Sequence, residues 1–266
     1  MINLTLLKKE IKSNYKILLI FIGVLTLYSS MIISMFDPKL GESLKQMAES
    51  MPGLFSAFKM SDPGSTMIEF ISNYLYGFLF VAFPMIFSII LSNRLITRYI
   101  DKGSMSYILS TPNRRGKIIA TWIFTMILMV LILIVYVTVL SIVLSQVMFE
   151  GELDIGKFLV MNIGLFGLQA FIVALCFMFS CIFSDSKYAL GLSAAFNVGF
   201  LFIQMLSQAG DKFEKLKYLT PLTLFDTSGI VAGDESSYIC MGVLYLLAAV
   251  MFIIGALVFS KKDLSV

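Results

Sequence analysis

The chain has 266 residues, of which 58% are hydrophobic and only 14% charged, with a formal net charge of +3. Soluble domains carry roughly 25% charged residues, so no soluble core absorbs this apolar excess and the chain must face lipid. It contains no histidine, which excludes most zinc chemistry, Ser-His-Asp catalysis and histidine proton relays.

Residues 1–16 carry Lys8, Lys9, Lys12 and Lys16, while Leu4, Leu7 and Ile11 share one helical face. This pattern predicts an amphipathic helix on the inner membrane surface that leads into the first span. The apolar run that follows is too long for a signal-peptide core and no clear A-x-A site ends it, so the span is read as uncleaved. Six segments contain no charged residue: Ile17–Phe36, Tyr74–Leu91, Ile118–Met148, Leu159–Phe183, Tyr188–Leu206 and Tyr238–Phe259. Each is long enough to cross roughly 30 Å of hydrocarbon. The third, at 31 residues, would be about 46 Å long as a helix and must tilt or project. Pro84 is expected to kink the second span, and Trp122 to sit at the interface near the inner end of the third.

Six spans put both termini on one side. With the termini inside, the inner segments hold 13 of the 20 basic residues and four of the 17 acids. The positive-inside rule then places both ends in the cytoplasm. The chain reads as an all-α membrane protein with one transmembrane domain over residues 1–266. Of the outer loops, Asp37–Asn73 is the largest; Leu44, Met47, Met51, Leu54, Phe55 and Phe58 give it one broadly apolar side, as an interfacial helix or a lid on the span ends would have. The inner loop Asn93–Arg115 carries Arg94, Arg98, Lys102, Arg114 and Arg115 against one acid, Asp101. Asp101 is placed to cap a short helix with Met105, Ile108 and Leu109 on one face, and Thr111-Pro112 ends it.

Gly151–Lys157 (GELDIGK) matches the first seven positions of a phosphate loop, but Phe158 stands where Ser or Thr would hold magnesium and three acids crowd the run. It reads as coincidence, so the chain has no nucleotide-hydrolysing site of its own. Cys176, Cys181 and Cys240 read as small buried residues. Gly191, Ala195 and Gly199 repeat every fourth residue in the fifth span, a small-residue face that lets helices approach closely, either within the chain or against a second copy. Asn162 and Gln169 in the fourth span, with Asn197 and Gln204 in the fifth, are the strongest polar groups at depth. They either line a substrate route or hydrogen-bond between helices, the commoner use. No acid or base lies within the charge-free spans, which disfavours an ion-coupled carrier or an intramembrane enzyme. No metal or cofactor site is legible.

The run Asp101-Lys102-Gly103-Ser104-Met105, then Tyr107-Ile108-Leu109-Ser110-Thr111-Pro112 and Arg114-Arg115, resembles the loop after the second span in type 2 ABC exporter permeases. There the pattern is acidic-x-G-[ST]-hydrophobic followed by L-L-S-[TS]-P and one or two bases. Ile108 stands where Leu is more usual, and Asp101 where Glu is frequent. The KKEIK lead-in and the ending Phe259-Ser260-Lys261-Lys262-Asp263-Leu264 are similar to that family's ends. The resemblance implies a dimeric membrane core, of two copies or two related chains, in a bacterial cytoplasmic membrane. Each half would pair with a soluble ATPase that holds ATP and magnesium. It implies that Asp101, Lys102, Gly103, Met105, Tyr107, Ile108 and Leu109 form a coupling helix resting in the ATPase. It further implies that Gly191, Ala195 and Gly199 are candidates for the dimer contact, and that the cargo is amphipathic or lipid-like, such as a drug, an antimicrobial peptide or a lipid. The rival reading is a non-transporting immunity or sensor protein that binds a peptide through the 37–73 loop. Nothing suggests a nucleic-acid partner.

Overall fold

The structure, a computed structural model, describes residues 2–37, 50, 66–101, 103–105, 114–208 and 211–262. Every regular element among them is helical. Six helices are long and apolar enough to cross a membrane: Leu4–Ser34, Met67–Asp101, Arg115–Met148, Ile155–Ile182, Ser186–Gln208 and Glu235–Lys261. They are the first to sixth spans below, and they follow the six charge-free segments in order. The helix expected in the large outer loop, and most of the expected short helix after Asp101, lie outside the described residues.

The lead-in helix and the first span are one unbroken helix, capped where the Asn3 side chain accepts from the backbone N–H groups of Thr5 and Leu6. Its buried stripe is Leu6, Glu10, Asn14, Leu18 and Leu25. Leu4, expected on the apolar face, is exposed, and Leu7 and Ile11 are half-buried. The protein-facing side of this segment is thus Leu6, Glu10 and Asn14 with Leu7 and Ile11 at its edge, and all four lysines lie on the exposed side.

The second span starts at Met67, well before the charge-free run, because Thr66 and Glu69 form a reciprocal capping box. It carries two π-helical stretches, Ser72–Leu79 and Asn93–Thr97. In them Phe80 N–H donates to Leu75 O and Arg98 N–H to Asn93 O, five residues back. Pro84 lies between the two, inside helical structure. Having no N–H, it leaves the Phe80 carbonyl without its usual donor. Gln169 of the fourth span supplies one: its Nε2 reaches Val81 O at 3.0 Å and Phe80 O at 3.4 Å.

The third span, 34 residues long, measures about 51 Å at 1.5 Å per residue. Trp122 is not an interfacial anchor. It lies fully buried, with its ring edge-on to Phe259 at 5.5 Å. The cause is its place on the buried stripe Ile118, Trp122, Met126, Met129 and Leu133, whose spacing of three and four residues turns it toward the bundle.

The fourth span is the centre. It packs chiefly on the sixth and also touches the second, third and fifth. Its glycines make this possible: a Cβ on Gly167 would come within 2.9 Å of the Tyr245 ring, and one on Gly164 within 3.0 Å of Phe225. Gly255 of the sixth span lies equally close to Phe177. Its N-terminus begins at the phosphate-loop lookalike, where the Asp154 carboxylate accepts from Lys157 N–H. An acid therefore occupies the helix end where a phosphate would sit.

Between the fifth and sixth spans the chain forms 3₁₀ turns at Asp211–Leu219 and Pro221–Leu224, then a short helix, Thr227–Ala232. Thr220 Oγ1 donates to Phe200 O at 3.2 Å, two turns below the end of the fifth span at Gln208. This segment therefore dips back among the spans. Asn3 and Lys262 both lie at the opposite, basic end of the bundle: Asn3 N–H donates to Thr121 Oγ1 and Arg115 donates to Lys262 O.

Candidate functional site

Two regions carry the polar groups the fold leaves in unusual places. The first is the basic end. Glu10 is buried, and Tyr99 donates its hydroxyl to Glu10 Oε1 at 2.9 Å. The Lys9 ammonium lies over the Tyr99 ring, 5.2 Å from its centre, and the Arg94 guanidinium donates to Ser13 O at 3.2 Å. The root of the 98–115 loop is thus fastened to the lead-in helix by a charge-assisted hydrogen bond. Across the bundle, Arg115 donates to Ser260 O and Lys262 O. The Lys262 ammonium in turn donates to Cys181 O and Ile182 O at 3.0 and 2.9 Å. It caps the last carbonyls of the fourth span, where a cation suits the helix dipole. Partial burial holds this ammonium below the usual lysine range, with the neighbouring Cys181 opposing the shift. The two lysines of the C-terminal sequence motif therefore differ: Lys262 is built into the bundle, and Lys261 is exposed.

Of the expected coupling residues, Asp101 is exposed in the last turn of the second-span helix. It ends that helix where it was expected to cap a new one. Gly103 adopts φ +66°, a left-handed conformation that glycine takes without strain, and its N–H donates to Ile100 O at 3.0 Å. Met105 is buried in the protein's own core. Lys102, Tyr107, Ile108 and Leu109 lie outside the described residues.

The second region lies at the other end, between the second, fourth and fifth spans and the returning segment. A small cavity of about 30 Å³ is lined by Tyr76, Gln204, Gln208 and Thr227 among apolar neighbours. The hydroxyls of Tyr76 and Thr227 are buried and have no hydrogen-bond partner among the described residues. Asn162 stands beside the Tyr76 hydroxyl but outside hydrogen-bonding geometry. Its Nδ2 donates to Phe158 O at 2.8 Å. Gln204 Oε1 accepts from Thr223 Oγ1 at 2.8 Å.

The four deep amides therefore do not form one line. Gln204 reaches this cavity and Asn162 its margin. Gln169 is engaged by the second-span carbonyls. Asn197 donates to Ser193 O at 2.8 Å and lies 3.4 Å from Cys176 Sγ. Among the described residues the fifth-span stripe faces nothing: Gly191 and Ala195 are exposed, and a Cβ on Gly191 or Gly199 would meet no described atom within 4 Å.

Sequence reasoning passed over Glu10, Tyr76, Tyr99 and Thr227. Glu10 left a signal. It is the only acid in the first 16 residues and shares a four-residue spacing with Leu6, Asn14 and Leu18, so it lies on a helix's buried side. Tyr76 and Thr227 left none, because long-range packing brings them together.

Residues 4–264 match the family model described as ABC-2 family transporter protein. No curated protein matches the chain.

Proposed function

Because the chain belongs to the ABC-2 transporter family and is a six-span membrane permease, we propose that it is the membrane-spanning subunit of an ATP-driven exporter, working with a separate soluble ATPase. The basic end faces the cytoplasm, as its excess of lysine and arginine dictates, and the membrane is the cell membrane. The ATPase docks there on the loop from Asp101 to Leu109. With Met105 turned into the bundle, Asp101, Lys102, Tyr107, Ile108 and Leu109 are left to meet it. A second membrane subunit, the same chain or a related one, packs on the open face of Gly191, Ala195 and Gly199 and on the first span. Closure of the ATPase pair on ATP pushes the loop and moves the spans, and an amphipathic cargo leaves between the two copies.

One observation carries this reading. The second span is a single helical run from the cavity-lining Tyr76 to Asp101 at the loop. A displacement of the loop is therefore delivered to the cavity through one rod, with π-helical stretches on either side of Pro84 as places for it to bend. The test is purification of the full chain from its native host in mild detergent, followed by mass identification of partners. A co-purifying soluble ATPase, lost in an Asp101→Arg/Lys102→Glu variant of unchanged melting temperature, is the expected result. Recovery of the folded chain without an ATPase would overturn the reading. Met105→Asp, an obvious alternative, is unsuitable because it buries a charge in the fold itself.

A further inference from the structure

We propose that the cavity between Tyr76, Gln204, Gln208 and Thr227 is a binding site for the uncharged polar group, an amide or a hydroxyl, of an otherwise apolar molecule. Two hydroxyls, Tyr76 and Thr227, are each 2% exposed and unpartnered while lining the same space. A buried hydroxyl without a partner is costly, and native proteins place water or a ligand group on it. The cavity's roughly 30 Å³ admits a water or two, or one small polar group in their place.

The lining decides which group. No described residue around the cavity is charged. A phosphate or an ammonium would be buried there without a counter-charge, which is unfavourable. Hydroxyls and carboxamides both donate and accept, and so complement a group that does the same. The remaining lining is apolar, including Leu168, Leu201 and Phe225, and suits a hydrocarbon body. The cavity opens along the fifth span, where Leu201, Gln204, Met205 and Gln208 are only half-buried.

The role of this molecule as cargo rests on the exporter reading; its binding does not. The full chain in lipid nanodiscs is titrated with two radiolabelled neutral probes, N-acetyl-trileucine amide and dioleoylglycerol. Their charged counterparts, trileucine with free ends and dioleoyl phosphatidic acid, are titrated alongside. Saturable binding of either neutral probe is expected, at least tenfold tighter than its charged counterpart. Which of the two binds names the source as a peptide amide or a lipid hydroxyl. Tyr76→Phe with Thr227→Val is expected to weaken binding at least tenfold, with Thr227→Ser retaining it. The melting temperature should stay unchanged, since neither hydroxyl holds a partner among the described residues. Binding of the charged forms as tightly as the neutral ones, no saturable binding of either neutral probe, or full affinity in the folded double variant would each overturn the assignment. Neutral binding without a co-purifying ATPase would leave the site standing and remove the exporter reading. An ATPase partner without neutral binding would do the reverse.

Discussion

The fourth and fifth spans are neighbours in sequence and similar in composition, and the fold uses them in opposite ways. Both are apolar helices with glycines and a few carboxamides, two in the fourth and three in the fifth. The fourth is buried along most of its length and the fifth along little of it. In the fourth, Gly164 and Gly167 lie against rings of other elements; in the fifth, Gly191 and Gly199 lie against nothing among the described residues. The small-xxx-small spacing that marks a close helix approach is the fifth span's, yet the close approaches within the chain are made by the fourth. Periodicity reports that a face is able to pack, and the fold decides whether the partner is in the same molecule.

Paired substitutions test this contrast. The one tryptophan, Trp122, is buried against Phe259 and reports unfolding by fluorescence. The largest effect is expected at the glycines. Gly167→Leu drives a side chain into the Tyr245 ring and costs about 3 kcal/mol or prevents folding. Gly191→Leu and Gly199→Leu leave the melting temperature unchanged but reduce self-association in light scattering and cross-linking. An equal loss of stability at Gly167 and Gly199 would erase the distinction between the two spans.

The amides come next. Gln169→Leu strips the donor from the Phe80 and Val81 carbonyls, and Pro84 has no N–H to replace it. About 1.5 kcal/mol is expected, near the upper end for polar contacts between membrane helices. Gln204→Leu loses a half-buried contact with Thr223 and costs about 0.5 kcal/mol. Chemical denaturation of both variants measures the difference, and a Gln204 variant as unstable as the Gln169 one would contradict it.

The caps should differ least. Lys262→Met removes two donors from the end of the fourth span, but from a partly exposed position, so about 0.5 kcal/mol is expected. Asp185→Ala removes the carboxylate that accepts from Lys187 N–H at 2.7 Å at the start of the fifth span, and costs about 1 kcal/mol. Thermal melts of the two should agree within a few degrees. A much larger loss at Lys262 would show that the C-terminal residues hold the basic end together beyond capping one helix.

The first span adds a prediction about the loop. Tyr99→Phe leaves the buried Glu10 carboxylate without its donor and is expected to cost about 2 kcal/mol. Glu10→Gln keeps an acceptor for the hydroxyl and should cost less. If the lead-in helix fastens the loop, both variants raise proteolytic cleavage within residues 98–115, with Tyr99→Phe the stronger; equal cleavage in wild type and both variants would refute that role.

The class of the molecule is written in local composition. Uncharged runs of 18 residues and more have no stable place in water, and a backbone in hydrocarbon must satisfy its own hydrogen bonds, so six helices follow from hydropathy alone. The end-to-end asymmetry of charge, the common side of the two termini and the family resemblance were legible for the same reason, since each depends on residues close together along the chain. Long-range packing alone turns Trp122 inward, brings Gln169 to the carbonyls freed near Pro84 and places Met105 in the core. It alone joined Glu10 to Tyr99 and set the Tyr76 and Thr227 hydroxyls around one cavity. In each case the partners lie tens to hundreds of residues apart. Within lipid every face of a span is apolar, so the usual contrast between a wet side and a dry side, which lets a helix announce its packing partner, is missing.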